Sequence, residues 1–206
     1  EIYLDLKELA CIESNYDRIP SLMQEGMNMD ITKTVLEYKK KYKEENKEYK
    51  EALKQKKYNE ATRHANNMKQ IAVNMKRSIN KINTLNSFES VIGTCLSVVL
   101  SCLEFIVPSL LFASKFAIKK IPVAGGIIVA GINAGQKYAG VEDETKQIVD
   151  QTKDTITDIK NYQKKSEVSF DHVNGYKVKM VDYCTQLERN ADYLVKMVKV
   201  NKILDS

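Results

Sequence analysis

Two histidines, four cysteines and one glycine-rich run are the residues of this chain whose chemistry could support catalysis, metal binding or phosphate binding. A metal site needs clustered donors, such as two histidines one helical turn apart, and a general base needs a partner within hydrogen-bond reach. His64 and His172 each stand alone among residues suited to a helix surface. His172 adjoins Asp171 and could meet Cys184 only through folding, which no spacing specifies. Both histidines read as solvated side chains. No catalytic residue, metal ligand or cofactor is assigned, and the chain reads as a non-enzyme.

Cys95 and Cys102 are seven residues apart, so they share one helix face but lie roughly 10 Å apart along it, beyond disulfide reach. With Cys11 and Cys184 they form no clustered pattern, which fits buried thiols in a reducing compartment. The run from Gly125 to Gly131 invites comparison with a phosphate loop. Such a loop needs its last glycine followed by Lys-Ser or Lys-Thr, so that ammonium and hydroxyl reach phosphate and magnesium. Here Gly135 is followed by Gln136, Lys137 and Tyr138, and both spacing and hydroxyl are wrong. Close helix packing is the better use of the small residues: Gly131 and Gly135 form a GxxxG pair, and Gly93, Ser97 and Ser101 form a ladder on the preceding segment.

The elements that carry these residues are helices. Three prolines and eight glycines leave little room for the turns of a sandwich or barrel, so the expected class is all-α. A first helix spans Ile2 to Arg18, and Pro20, Gly26 and Asn28 mark a connection, with Asp30 as N-cap of the next helix. Residues 31–82 form an antiparallel helical hairpin. Its second arm repeats Ala61, Ala65, Met68, Ala72, Met75, Ile79 and Ile82 at 4-3 spacing, a coiled-coil seam. Asn86 and Glu89 have the spacing of a capping box. A kinked apolar hairpin is expected over 88–138 and charged helices over 142–165 and 173–204. The organisation is thus an N-terminal region 1–87, an apolar region 88–140 and a C-terminal helical hairpin 141–206 that packs on the first.

The apolar region dominates the functional reading. From Ser90 to Ala134 the charged residues are Glu104, Lys115, Lys119 and Lys120. Val91 to Ala113 is long enough to cross a bilayer core of about 30 Å, whereas Ile121 to Ala134 is not. The chain's other helices carry thin apolar stripes. The sequence therefore favours cover by lipid or by partner chains over burial within one monomer, with Val91, Leu96, Val99, Leu103, Phe105, Leu110, Phe112, Ile127 and Val129 as the contact residues.

Charge is unevenly spread. Residues 33–81 carry fifteen basic and six acidic groups, a net of +9 within a total of +5. Lys39, Lys40, Lys41, Lys54, Lys56 and Lys57 are the candidate contacts to an anionic surface, a membrane in the first place. Nucleic acid is not favoured, because arginine for bidentate base contacts is scarce and the tyrosines lie on the apolar stripe.

The segments Ile12 to Pro20, Glu25 to Asp30 and Glu37 to Lys40, in a Lys-, Asn- and Tyr-rich composition, resemble uncharacterised structural proteins of large-genome tailed bacteriophages over residues 1–82. The resemblance implies a virion component, partnered by other copies or other virion proteins, with Glu1 created by maturation proteolysis. It carries no site residue. The competing expectation is a helical membrane-inserting protein of pore-forming type.

Overall fold

The computed structural model describes residues 18–82, 88–120, 140–164 and 173–206. Among these are five helices and no strand: α1 (Arg18–Lys54), α2 (Tyr58–Asn80), α3 (Phe88–Ile118), α4 (Val141–Lys164) and α5 (Val173–Asp205). The all-α class is as expected. The helix expected over Ile2 to Arg18, the capping residue Asn86 and the segment 121–139 lie outside the described residues.

One boundary differs from the expectation. α1 runs unbroken for 37 residues through Pro20, Gly26 and Asn28, and Asp30 is interior to it rather than its cap. Pro20 is the third residue of the helix, within the first turn, where backbone N–H groups have no intrahelical partner to lose. A single glycine in a helix costs about 1 kcal/mol, which a helix this long absorbs through packing. Gly175 likewise lies inside α5, and Pro108 inside α3.

The turn between α1 and α2 shows how the hairpin is made. The Lys57 amide donates to the Ala52 carbonyl at 2.8 Å, and the Lys56 amide to the Leu53 carbonyl at 3.1 Å. These two bonds form a Schellman motif with Lys56 at φ 59°, the left-handed position that usually takes glycine. Beyond it the seam residues Ala61, Ala65, Met68, Ala72, Met75, Ile79 and Ile82 are all buried, facing Val35, Tyr42 and Tyr49 of α1. Small alanines on one arm make room for tyrosines on the other.

Helices α1, α2, α5 and α3 pack on one another in that cyclic order, and α4 packs chiefly against α3, adding Val141, Val149 and Ile159 to the one core. Side-chain pairs fix the directions. Lys69 with Asp192 and Lys76 with Glu188 run antiparallel between α2 and α5. Lys43 over Phe105 and Asn46 with Ser109 run parallel between α1 and α3. Glu144 with Lys196 and Asp158 with Tyr183 run antiparallel between α4 and α5. The chain therefore goes up, down, up, down, up. The three regions expected from sequence share a single hydrophobic core.

Candidate functional site

α3 is the element on which the site is built. Val91 to Ile118 is a stretch of 28 residues with mean hydropathy 2.2, long and apolar enough to cross a membrane. Half of its most apolar window is buried inside the protein. Val91, Leu96, Val99, Leu103 and Leu110 are buried, and Phe105 and Phe112 pack half-buried on the same core. Cover that the sequence assigned to lipid or partners thus comes from α1, α4 and α5 for these five residues. The thin stripes of the charged helices suffice because three of them converge on α3. Ile127 and Val129 lie outside the described residues.

The small-residue ladder is placed differently from the expectation. Gly93 and Ser97 are exposed and Ser101 is half-buried, and a Cβ added at Gly93 would meet nothing within 4 Å. Among the described residues no helix backbone closes on this face. The reason is rotational: the face of α3 turned to the core carries Cys95, Val99, Cys102, Ile106, Ser109 and Ala113, and Gly93 and Ser97 fall outside it. Gly131 and Gly135 are outside the described residues.

Polar ties hold α3 in register. Ser109 Oγ donates to Asn46 Oδ1 at 2.8 Å in the buried seam with α1, and Asn46 Nδ2 donates to the Tyr42 carbonyl at 3.2 Å. On the outer edge Glu104 pairs with Lys160 of α4 at 3.4 Å, both half-exposed. At its C-terminal end α3 is held by Lys120. The ammonium donates to Tyr58 Oη at 3.0 Å and Asp205 Oδ2 at 2.9 Å, and stands 4.3 Å from the Phe116 ring centre. Lys56 approaches the other oxygen of Asp205 at 3.8 Å. The Lys120 side chain is 15% exposed. Burial, and then the charge of Lys56, lowers its pKa below the ordinary lysine value. One carboxylate thus joins the α1–α2 turn, the end of α3 and the end of α5.

This node gathers basic residues that the sequence keeps far apart. Lys54 and Lys57 flank Lys56, Lys119 precedes Lys120, and Lys202 lies one turn before Asp205; all four are exposed. Lys39, Lys40 and Lys41 sit on α1 roughly 20 Å away along the helix. The two lysine clusters of the first hairpin, Lys39 to Lys41 and Lys54 to Lys57, thus sit at different levels of the bundle. Lys119 and Lys120 read in sequence only as a bend, and Lys202 carried no signal at all. Their shared location follows from the parallel course of α3 and α5.

Of the residues singled out for their chemistry, His64, Cys95, Cys102 and Cys184 are described. His64 Nδ1 lies 2.6 Å from Glu45 Oε2, and Asn67 Nδ2 donates to Glu45 Oε1 at 3.2 Å. This pair borders an open hollow of about 260 Å³ between α1 and α2, lined by Tyr38, Lys41, Glu44, Gln70 and Asn74 among others. Cys95, Cys102 and Cys184 are buried free thiols. Burial pushes the Cys184 thiol up to about 12, so it is not a thiolate at neutral pH. No group of three or more metal-ligating side chains occurs among the described residues. His172 and the glycine run 125–131 lie outside them. No protein-family model, curated protein or solved structure matches this chain.

Proposed function

We propose that this chain is a non-enzymatic helical structural protein that assembles with other copies or other proteins, and that it is a component of a tailed-phage particle. The observation that carries the structural role is the use of the interior polar side chains. Asn46 with Ser109, Tyr49 with the Leu194 carbonyl, and Thr152 with Asn190 tie helices to one another instead of converging on a cavity. Leu36, Leu111, Val178 and Ile203 turn apolar surface outward, where contacts with other chains would form. The phage assignment rests on the resemblance of residues 1–82. Mass spectrometry of gradient-purified particles from the encoding phage tests it: the protein co-purifies at structural copy number, and its absence from particles ends the assignment.

A second reading is favoured by α3 itself. A 28-residue helix of mean hydropathy 2.2, jacketed by charged helices, is the arrangement expected of a protein that carries a membrane-inserting helix in soluble form. Dye release from anionic liposomes tests this reading. Release that persists after deletion of residues 90–134, or no release from the intact chain, rejects insertion.

A further inference from the structure

The cationic end of the bundle has the composition and placement of a lipid-docking surface. Six lysines, Lys54, Lys56, Lys57, Lys119, Lys120 and Lys202, meet there against Asp205, Glu51 and Glu60. Asp205 is already engaged by Lys56 and Lys120, and Lys54, Lys57, Lys119 and Lys202 pair with no carboxylate among the described residues. Aromatic rings accompany the charges. Phe112 and Phe116 stack at 5.8 Å near the end of α3, and Lys120 lies over both Phe116 and Tyr58.

We infer that this end of the bundle docks on an anionic lipid surface, with the C-terminal end of α3 directed at the bilayer. Lysine ammonium groups on flexible stems beside tyrosine and phenylalanine rings suit the headgroup region, where one end of each side chain stays wet. Lysine dominates this end, with Arg63 in the second turn of α2 as its nearest arginine, and bidentate nucleic-acid contacts favour arginine. The helix that ends there is also, among the described residues, the one long and apolar enough to enter the bilayer. Docking extends the membrane reading but is separable from it, since a protein can bind headgroups without inserting.

The test is flotation of the full chain with phosphatidylcholine vesicles, with and without phosphatidylglycerol, at low and high salt. Two triple variants are compared: Lys54→Gln, Lys57→Gln, Lys119→Gln at the cationic end, and Lys39→Gln, Lys40→Gln, Lys41→Gln on the shaft of α1. Each removes the same charge, and far-UV circular dichroism checks that each keeps its helices. Each lysine near such a surface contributes roughly a five-fold factor, so the first variant loses on the order of 100-fold in partitioning and the second far less. The inference is overturned by equal loss in both variants, by no preference for phosphatidylglycerol, or by duplex DNA displacing the protein from vesicles. Dye release measured in the same samples reads insertion separately: binding without release leaves docking standing and removes the pore-forming reading.

Discussion

Tyr42 and Tyr49 lie two turns apart on the buried face of α1, and their hydroxyls meet opposite fates. Tyr49 Oη donates to the Leu194 carbonyl at 3.0 Å, across the bundle from α1 to α5. Tyr42 Oη is buried with no hydrogen-bond partner among the described residues. Burial raises the pKa of both phenols, so each enters the core as the neutral form. The same residue type therefore acts as a diagonal tie at one level and as space-filling bulk at the other.

Removing the two hydroxyls should give opposite signs. Tyr49→Phe loses a buried hydrogen bond and is expected to destabilise by about 1 kcal/mol. Tyr42→Phe removes an unpartnered polar atom from the core and is expected to stabilise by about 1 kcal/mol. Urea denaturation of the two variants checks this, and a loss of stability in both would refute the assignment of their roles.

The Asn46–Ser109 tie predicts a non-additive pair. Ser109→Ala leaves Asn46 Oδ1 buried without its donor and should cost about 1–3 kcal/mol. Asn46→Leu combined with Ser109→Ala removes both polar groups. It should cost less than the two single changes added together, by about 1 kcal/mol or more. A double-mutant cycle reads the coupling directly, and strict additivity would show that the two side chains act independently.

Lys56 occupies the left-handed position of a Schellman turn at φ 59°. A side chain in that conformation is less favourable than glycine by roughly 1 kcal/mol. Its pairing with Asp205 at 3.8 Å is mostly solvent-exposed on the lysine side and contributes little. Lys56→Gly is therefore expected to raise the melting temperature by about 2–4 °C. A fall in melting temperature would mean that the Asp205 contact outweighs the backbone preference.

Stability should decline on the alkaline side. Burial raises the Cys184 thiol to about 12 and pushes the phenols of Tyr42, Tyr49 and Tyr183 above their ordinary value. Groups with raised folded-state pKa values contribute stability that is fully present below their unfolded values. That contribution is lost as pH climbs through the unfolded values towards the folded ones. For Cys184 the window is pH 9 to about 12. Cys184→Ala should make the protein less stable at neutral pH, through a small cavity, yet flatten the slope of stability against pH within that window. Denaturation midpoints across the range measure it, and an unchanged slope would mean that the thiol titrates alike in both states.

Much of the helix content was legible because local rules govern it. The 4-3 spacing of Ala61 to Ile82 placed seven residues on one face, and all seven are buried. The start of α1 was misplaced because Pro20 and Gly26 are weak breakers when one sits in the first turn and the other in a long helix.

Composition and periodicity by themselves determined the all-α class, the apolar character of α3, the excess of lysine in the first hairpin and the seam of α2. These properties depend on residues within a few turns of each other, where side-chain spacing and helix geometry act directly. Only the tertiary structure decided that α1, α4 and α5 cover α3, that Gly93 and Ser97 face outward, and that Lys56, Lys120 and Asp205 form one node. Those facts depend on how far each helix rotates about its axis and which neighbours run parallel to it. Both are settled by the summed packing of all the helices rather than by any one stretch of chain.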